Sequence, residues 1–150
     1  ECYKQGLPRV SPAYQSQAGE ISKALEVFWR HGGWTVFVDE RFYVEQRLKL
    51  TKLLEQIESQ GRTRGLSLVS GMQRPSRVSR FALSEAQHIV SFRVGGRDAK
   101  VIGEETTDEM EDAVIGLERF QFAVFQRADR KVWVGYLQDL APGPHGPPAL

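Results

Sequence analysis

Two adjacent carboxylates, Asp39 and Glu40, follow directly after a short apolar run. The stretch TVFVDE, residues 35–40, has the length of a short strand and ends in these acids. One carboxylate could hold a hard cation such as Mg²⁺, usually through the water shell of the metal. The other could orient or deprotonate an attacking water. The alternative is structural, because acidic residues also stabilise the N-terminus of a following helix.

A neutral amide follows a second apolar run. Gln73 comes after the stretch LSLVS at residues 66–70, and Pro75 lies two residues further on. The amide could sense a terminal phosphate or position a water, and the structural alternative is a turn residue before the proline. In open α/β sheets, ligands bind beyond the carboxyl ends of the strands. We therefore expect Asp39, Glu40 and Gln73 to border one crevice.

Positive charge is concentrated in the middle of the chain. Residues 41–80 carry nine basic and three acidic side chains, a net charge of +6, whereas the whole chain has a net charge of +1. Such a block could meet the phosphates of a nucleotide or of DNA, or it could be a solvated face. An arginine could also neutralise charge that develops on a transferred phosphoryl group. The arginines toward the end of this block are Arg62, Arg64, Arg74, Arg77 and Arg80.

The composition is that of an ordinary globular protein, with 41% hydrophobic and 26% charged residues. No apolar run approaches the roughly 20 residues that span a bilayer. The first ten residues lack the apolar core of a signal peptide. The single cysteine, Cys2, excludes an internal disulfide and fits a reducing compartment, so we expect a cytoplasmic location. The three histidines show no spacing typical of a zinc site.

Periodicity predicts the elements that must position these residues. Apolar residues at helical spacing predict helices at residues 19–31 and 47–62, the first ended by a glycine pair. Short apolar runs predict strands at residues 34–38 and 66–70. The first run does not alternate with polar residues, which is typical of a strand covered on both faces.

The second half of the chain continues the pattern. It predicts a strand at residues 88–94, helices at 97–105 and 106–117 with Thr107 as an N-cap, and a β-hairpin over 119–140. Strands that alternate with helices favour an α/β fold with a parallel sheet. The last ten residues hold four prolines and two glycines and predict a disordered or linker-like tail.

The order and spacing of these motifs resemble those of one protein family. The stretches VFVDE, GRTRGLSLVSGMQRPS and LSEAQHIVSFRVGGRDAKVI are similar to the carboxyl-terminal half of the RecA-like core in the FtsK–HerA superfamily. Members of this superfamily are ring-forming P-loop ATPases that pump or translocate DNA. The resemblance covers residues 34–102. It implies a mostly parallel sheet flanked by helices, with a C-terminal β-hairpin, over residues 1–140, and a Pro/Gly-rich tail at 141–150.

The resemblance also implies roles for individual residues. Asp39 would hold the water shell of Mg²⁺, Glu40 would polarise the hydrolytic water, and Gln73 would lie between the γ-phosphate and that water. ATP and Mg²⁺ would be the cofactors, and DNA would be the partner of a homo-oligomeric ring, by resemblance a hexamer. One of four arginines would act in trans at a subunit boundary: Arg62, Arg64, Arg77 or Arg80.

Two departures from the family pattern matter. Position 72 is Met where the family usually has Thr. More seriously, the sequence contains no G-x-x-x-x-G-K-[ST], the loop whose backbone cradles phosphates. In the family, the strand that leads to this loop lies in the middle of the sheet. We therefore expect an incomplete domain with a gap between strands 66–70 and 88–94, and the missing half upstream.

Two other functions stay open at this stage. A non-hydrolysing assembly or scaffold module would keep the shape of the superfamily without the phosphate-binding loop. A magnesium-dependent nuclease would use the carboxylates alone, but it needs more acids near Asp39 than the sequence offers.

Overall fold

The computed structural model describes residues 17–140 of the chain. These residues fall into two compact units, the first ending at Glu85 and the second beginning at Ala86. The prediction that residues 1–140 form the C-terminal part of one RecA-like domain stays a prediction. Cys2 and the tail at 141–150 lie outside the described residues. Across the part that is described, no helix is long and apolar enough to cross a membrane.

The first unit contains three α-helices and two strands. Short 3₁₀ turns cover Gly61–Arg64 and Pro75–Arg77, and a π-helical turn covers Tyr43–Arg47. The regular elements are α1 (Gln17–His31), β1 (Thr35–Val38), α2 (Thr51–Gln60), β2 (Ser67–Ser70) and α3 (Phe81–Ser84).

Strands β1 and β2 pair in parallel, as the α/β prediction requires. Thr35 lies opposite Ser67, and Val38 lies opposite Ser70. The core of this unit forms on one face of the pair, because side chains alternate between the two faces of a strand. Its buried members come from α1, β1, α2 and the segments beside them: Leu25, Val36, Val38, Val44, Leu48, Leu54, Ile57 and Leu66.

The opposite face of this sheet is exposed within the described residues. Phe37 is 51% exposed, and its cross-strand neighbour Val69 is 49% exposed. The prediction that β1 is covered on both faces is therefore wrong for this part of the chain. A short apolar run hides its alternation, since Val36 and Phe37 are equally apolar but point to opposite faces.

The glycine pair ends α1 as predicted. Gly32 and Gly33 have φ values of +63° and +69°, in the left-handed region that favours glycine. Gly33 N–H donates to the carbonyl oxygen of Arg64 at 2.9 Å. A Cβ at position 32 would collide with that same carbonyl oxygen. The end of α1 is thus fixed against the 3₁₀ turn that precedes β2.

The second predicted helix begins later than its pattern suggests. Residues Tyr43–Arg47 form a π-helical turn, closed by a 3.1 Å hydrogen bond from Leu48 N–H to the carbonyl oxygen of Tyr43. Lys49 then takes a φ of +59°, and α2 starts only at Thr51. The apolar stripe is nevertheless correct, because Leu54 and Ile57 are buried.

The second unit contains β3 (His88–Ser91), α4 (Arg97–Glu105), α5 (Asp108–Gly116), β4 (Gln121–Gln126) and β5 (Lys131–Tyr136). All three strands pair antiparallel in the order β3–β4–β5, so the predicted hairpin is confirmed. Thr107 caps α5 as predicted, since its hydroxyl accepts a hydrogen bond from Met110 N–H at 3.2 Å. Among the described strands, β2 pairs only with β1, and β3 pairs only with β4.

Replacement of Gly32 tests the joint between α1 and β2. We expect Gly32→Ala to lower the free energy of unfolding by about 1–3 kcal/mol, because alanine is strained at positive φ and its Cβ would push against Arg64. Chemical denaturation followed by tryptophan fluorescence measures the change. Gly19→Ala in α1, where a Cβ meets nothing within 4 Å, is the matched control and should be neutral or slightly stabilising. Equal effects of the two substitutions would contradict the close approach at Gly32.

Candidate functional site

The acid doublet follows the end of β1, next to the segment of the same chain that follows the end of β2. Gly71 N–H donates to the carbonyl oxygen of Val38 at 2.7 Å, and Arg41 N–H donates to the carbonyl oxygen of Gly71 at 2.9 Å. The parallel ladder thus continues for one step past both strands. Asp39 and Glu40 lie inside this step, so their backbone is held against the residue that follows β2.

Gly71 allows this approach because it has no side chain. A Cβ at position 71 would collide with the carbonyl oxygen of Asp39. The sequence analysis did not single out this glycine, which has no positive φ and no motif of its own. Only its close contact with the other strand exit shows why glycine is needed here.

The three predicted site residues lie beyond the carboxyl ends of these two strands. Asp39 and Gln73 are exposed, and Glu40 is partly buried. Gln73 comes two residues after Gly71, which lies at the same end of the sheet as the doublet. The backbone carbonyl oxygen of Glu40 starts the next helical turn by accepting from Tyr43 N–H at 3.1 Å. The chemical roles of these side chains stay predictions.

A buried guanidinium lies directly behind the doublet. Arg41 is 0% exposed, and its Nε donates to Glu45 Oε1 at 2.6 Å. Its two terminal nitrogens contact both carboxylate oxygens of Glu58, with Nη2 3.0 Å from Oε2. Nη1 also lies 3.3 Å from Ser70 Oγ, at the end of β2. One side chain therefore joins the exit of β1, the helix α2 and the exit of β2.

The charge of Arg41 is stabilised by its carboxylate partners. Burial by itself would lower the pKa of this guanidinium, because it disfavours the charged form. The hydrogen bonds and the charge of Glu58, followed by those of Glu45, outweigh that effect and raise the pKa above its ordinary value. Arg41 is thus a permanent cation in the interior.

The second oxygen of Glu45 holds the segment that follows Gln73. Glu45 Oε2 accepts a hydrogen bond from Ser79 N–H at 2.7 Å. The Ser79 hydroxyl in turn donates to Glu55 Oε1 on α2 at 2.9 Å. This network was not predicted from the sequence. Its one sequence signal was the spacing of four between Arg41 and Glu45, because the other partners lie far apart along the chain.

The candidate arginines are placed differently from one another. Arg64 donates to the carbonyl oxygen of Trp29 at 3.3 Å, and its guanidinium lies 4.5 Å from the centre of the Trp29 ring. It therefore stabilises the C-terminal end of α1, where a cation is favoured. The remaining arginines of the group are all exposed and lie in or beside short turns: Arg62, Arg74, Arg77 and Arg80.

The residues present fit a water-mediated magnesium site only. Over residues 17–140, no group of three or more His, Cys, Asp or Glu side chains could hold a metal ion by itself. Mg²⁺ usually keeps several waters and takes one or two carboxylates together with phosphate oxygens. An exposed carboxylate at a strand end, such as Asp39, suits that arrangement.

The fold is similar to that of a viral genome-packaging NTPase. The chain superposes on the genome packaging NTPase B204 from Sulfolobus turreted icosahedral virus 2, solved with AMP, with a TM-score of 0.66 and 18% identity. The complex of the same protein with ATP-gammaS gives a TM-score of 0.66 and 18% identity, over 78% of this chain and 62% of that one. B204, the DNA-packaging ATPase from Sulfolobus Turreted Icosahedral Virus, gives a TM-score of 0.63 and 18% identity. The match covers 81% of this chain and 58% of that one.

The likeness to these structures confirms the predicted α/β fold class. The AMP complex is matched over 83% of this chain but only 63% of its own length, so the chain spans less than two thirds of that protein. No family model matches the sequence, and no curated protein matches it either.

Removal of the buried guanidinium tests the network behind the doublet. We expect Arg41→Ala to lower the free energy of unfolding by about 3–5 kcal/mol, because it leaves the buried Glu45 and the partly buried Glu58 without their cation. Urea denaturation measures the loss. Arg62→Ala, at an exposed position, is the control and should stay within about 0.5 kcal/mol of wild type. A loss at Arg41 no larger than that at Arg62 would contradict the network.

Proposed function

We propose that the protein is a subunit of an ATP-driven DNA translocase or packaging motor of the FtsK–HerA superfamily, which hydrolyses ATP between the subunits of a ring. The observation that carries the proposal is the locked step at Gly71, which brings the Asp39–Glu40 exit and the Gln73 exit to the same end of a parallel sheet. The likeness to packaging NTPases solved with AMP and ATP-gammaS supports it. The order of motifs along residues 34–102 supports the choice of superfamily.

The reaction is an in-line attack of water on the γ-phosphorus of ATP. The water oxygen forms the new bond to phosphorus, and the bond to the bridging oxygen of ADP breaks. Glu40, which is partly buried, orients the water and takes up its proton. Gln73 places its amide between the γ-phosphate and that water. Asp39 would hold the water shell of Mg²⁺, and the bound ion would neutralise charge on the phosphate oxygens.

The positive middle segment gives the motor its contacts with phosphate. One exposed arginine from a neighbouring subunit reaches the γ-phosphate and stabilises the charge of the transition state. Arg62 and Arg77 are better placed for this role than Arg64, which already contacts α1, and Arg80 is a further exposed candidate. Other members of the same block face the DNA backbone.

A second candidate is an assembly module of the same shape that does not hydrolyse ATP. Such a module would work without G-x-x-x-x-G-K-[ST], the loop that supplies most backbone contacts to the phosphates in P-loop ATPases, and residues 1–150 do not contain that loop. The two candidates differ in ATP turnover and agree in ring formation. Turnover is therefore the measurement that separates them.

Substitution of the acid doublet tests the ATPase proposal. In the full-length protein, we expect Asp39→Asn and Glu40→Gln each to lower kcat by about 100-fold or more, since each removes one charge needed at the reacting phosphate. Steady-state ATP turnover with DNA present measures the effect. Glu109→Gln, at an exposed position on α5, is the control and should retain full turnover.

Two outcomes would decide against the ATPase proposal. Unchanged turnover in both doublet variants would end the assignment of Asp39 and Glu40. Rings that form and bind a nucleotide analogue, but show no turnover in the wild type, would support the assembly module instead.

Mixing of variants tests which arginine acts in trans. A subunit with Glu40→Gln and a subunit with Arg77→Ala are each expected to be inactive as homo-oligomers. In a mixed ring, some interfaces combine an intact Glu40 with an intact Arg77, so we expect partial recovery of turnover. The same assay with Arg62→Ala and Arg80→Ala compares the other candidates, and Arg64→Ala is expected to act through stability instead. An absence of recovery for all of them would contradict an arginine acting in trans from this segment.

A further inference from the structure

We propose that Glu45 is a positioning residue that sets the spacing between the acid doublet and the Gln73 segment. The inference rests on the proposed function, because it assigns a role toward that reaction. Glu45 is 1% exposed and belongs to neither strand exit. Its two carboxylate oxygens nevertheless bind one residue from each exit: Arg41 through the side chain and Ser79 through the backbone.

Glu45 forms a bridge with two arms, one to Arg41 and one to Ser79, and the arm to Arg41 is short. Arg41 follows Glu40 directly, its backbone N–H is bound to Gly71, and its Nε is 2.6 Å from Glu45. A shift of the Arg41 guanidinium therefore moves the backbone that carries the doublet. The interior position of the side chain leaves it no alternative contact with water.

The second arm acts through a stiff turn. Between Gln73 and Ser79 the chain contains the buried Pro75 and the 3₁₀ turn Pro75–Arg77. Fixing the Ser79 N–H at one end therefore restrains Gln73 at the other, because proline restricts the backbone between them. The same hydrogen bond restrains Arg77 and Arg80, two of the candidate arginines, since they lie two residues before and one residue after Ser79.

The charges in the network explain why Ser79 N–H is needed. One guanidinium faces the two carboxylates of Glu45 and Glu58, so the group carries an excess of negative charge. Buried charges require hydrogen bonds as well as counterions. Ser79 N–H supplies a donor to the Glu45 oxygen that Arg41 does not contact. Release of that donor would leave a carboxylate oxygen of Glu45 without this partner.

The π-helical turn presents Glu45 to both arms. Such turns are rare in proteins and occur often at functional sites. Here the turn Tyr43–Arg47 begins within three residues of the doublet and contains Glu45 at its centre. Within this turn the Glu45 carboxylate contacts both Arg41 and Ser79, and the chain then continues to α2.

The experiment compares two carboxylates that both contact Ser79. Glu45 accepts from its backbone N–H and also binds Arg41, whereas Glu55 accepts only from its hydroxyl. In the full-length protein, we expect Glu45→Gln to lower kcat by about 10- to 100-fold with little change in KM for ATP, because small displacements of reacting groups have effects of this size. A glutamine in the same position replaces one carboxylate oxygen by an NH₂ group, which would face the donor of either Arg41 or Ser79. Glu55→Gln should leave kcat and KM near wild type.

The difference between a second pair of variants isolates the effect of the backbone donor. Ser79→Pro deletes the N–H and the hydroxyl, whereas Ser79→Ala deletes only the hydroxyl. Val78 has φ −104° and ψ 166°, an extended conformation that suits a residue before proline. We expect Ser79→Pro to reproduce the loss of kcat seen with Glu45→Gln, and to exceed the effect of Ser79→Ala.

Amide hydrogen exchange provides a readout that needs no turnover. In Glu45→Gln and Ser79→Pro, the amides of residues 71–78 should exchange at least about tenfold faster, while those of α1 and α2 keep their protection. If the wild type shows no ATP turnover, the proposed function fails, and the exchange data still test the bridge. If turnover depends on Glu40 but Glu45→Gln keeps its kcat, the positioning role is overturned while the function stands. A general loss of protection with proportional changes in kcat and KM would also overturn it, since Glu45 would then be merely structural.

Discussion

The rest of the first unit depends on one buried cation. Arg41 sits in the interior between two strand exits and a helix, and only the carboxylates of Glu45 and Glu58 make its burial tolerable. Without that pairing, the exits of β1 and β2 would be joined only by the backbone step at Gly71. The guanidinium therefore connects the place where chemistry is proposed to the helix that forms the core.

Local signals in the sequence predicted much of this fold. The end of α1 followed from the glycine pair Gly32–Gly33, and the start of α5 followed from the hydroxyl of Thr107. These features involve residues close together along the chain, so their physical reasons are visible in the sequence. The placement of the doublet and of Gln73 at strand ends followed from the length of two apolar runs.

The features that sequence reasoning missed depend on distant partners. Arg41 meets Glu58 across 17 positions, and Glu45 meets Ser79 across 34. No local pattern marks such pairs, and the π-helical turn between the doublet and α2 arises together with them. The exposed face at Phe37 and Val69 was missed for another reason, because composition alone cannot tell which side of an apolar strand is covered.

The contact at Gly71 separates the support of the site from its chemistry. The two strand exits are joined by main-chain atoms, and no side-chain atom of Asp39, Glu40 or Gln73 takes part in that junction. The reactive side chains can therefore be exchanged by evolution or by an engineer while the frame beneath them is conserved. The same backbone arrangement is therefore compatible with ATP hydrolysis in one protein and with an assembly function in another.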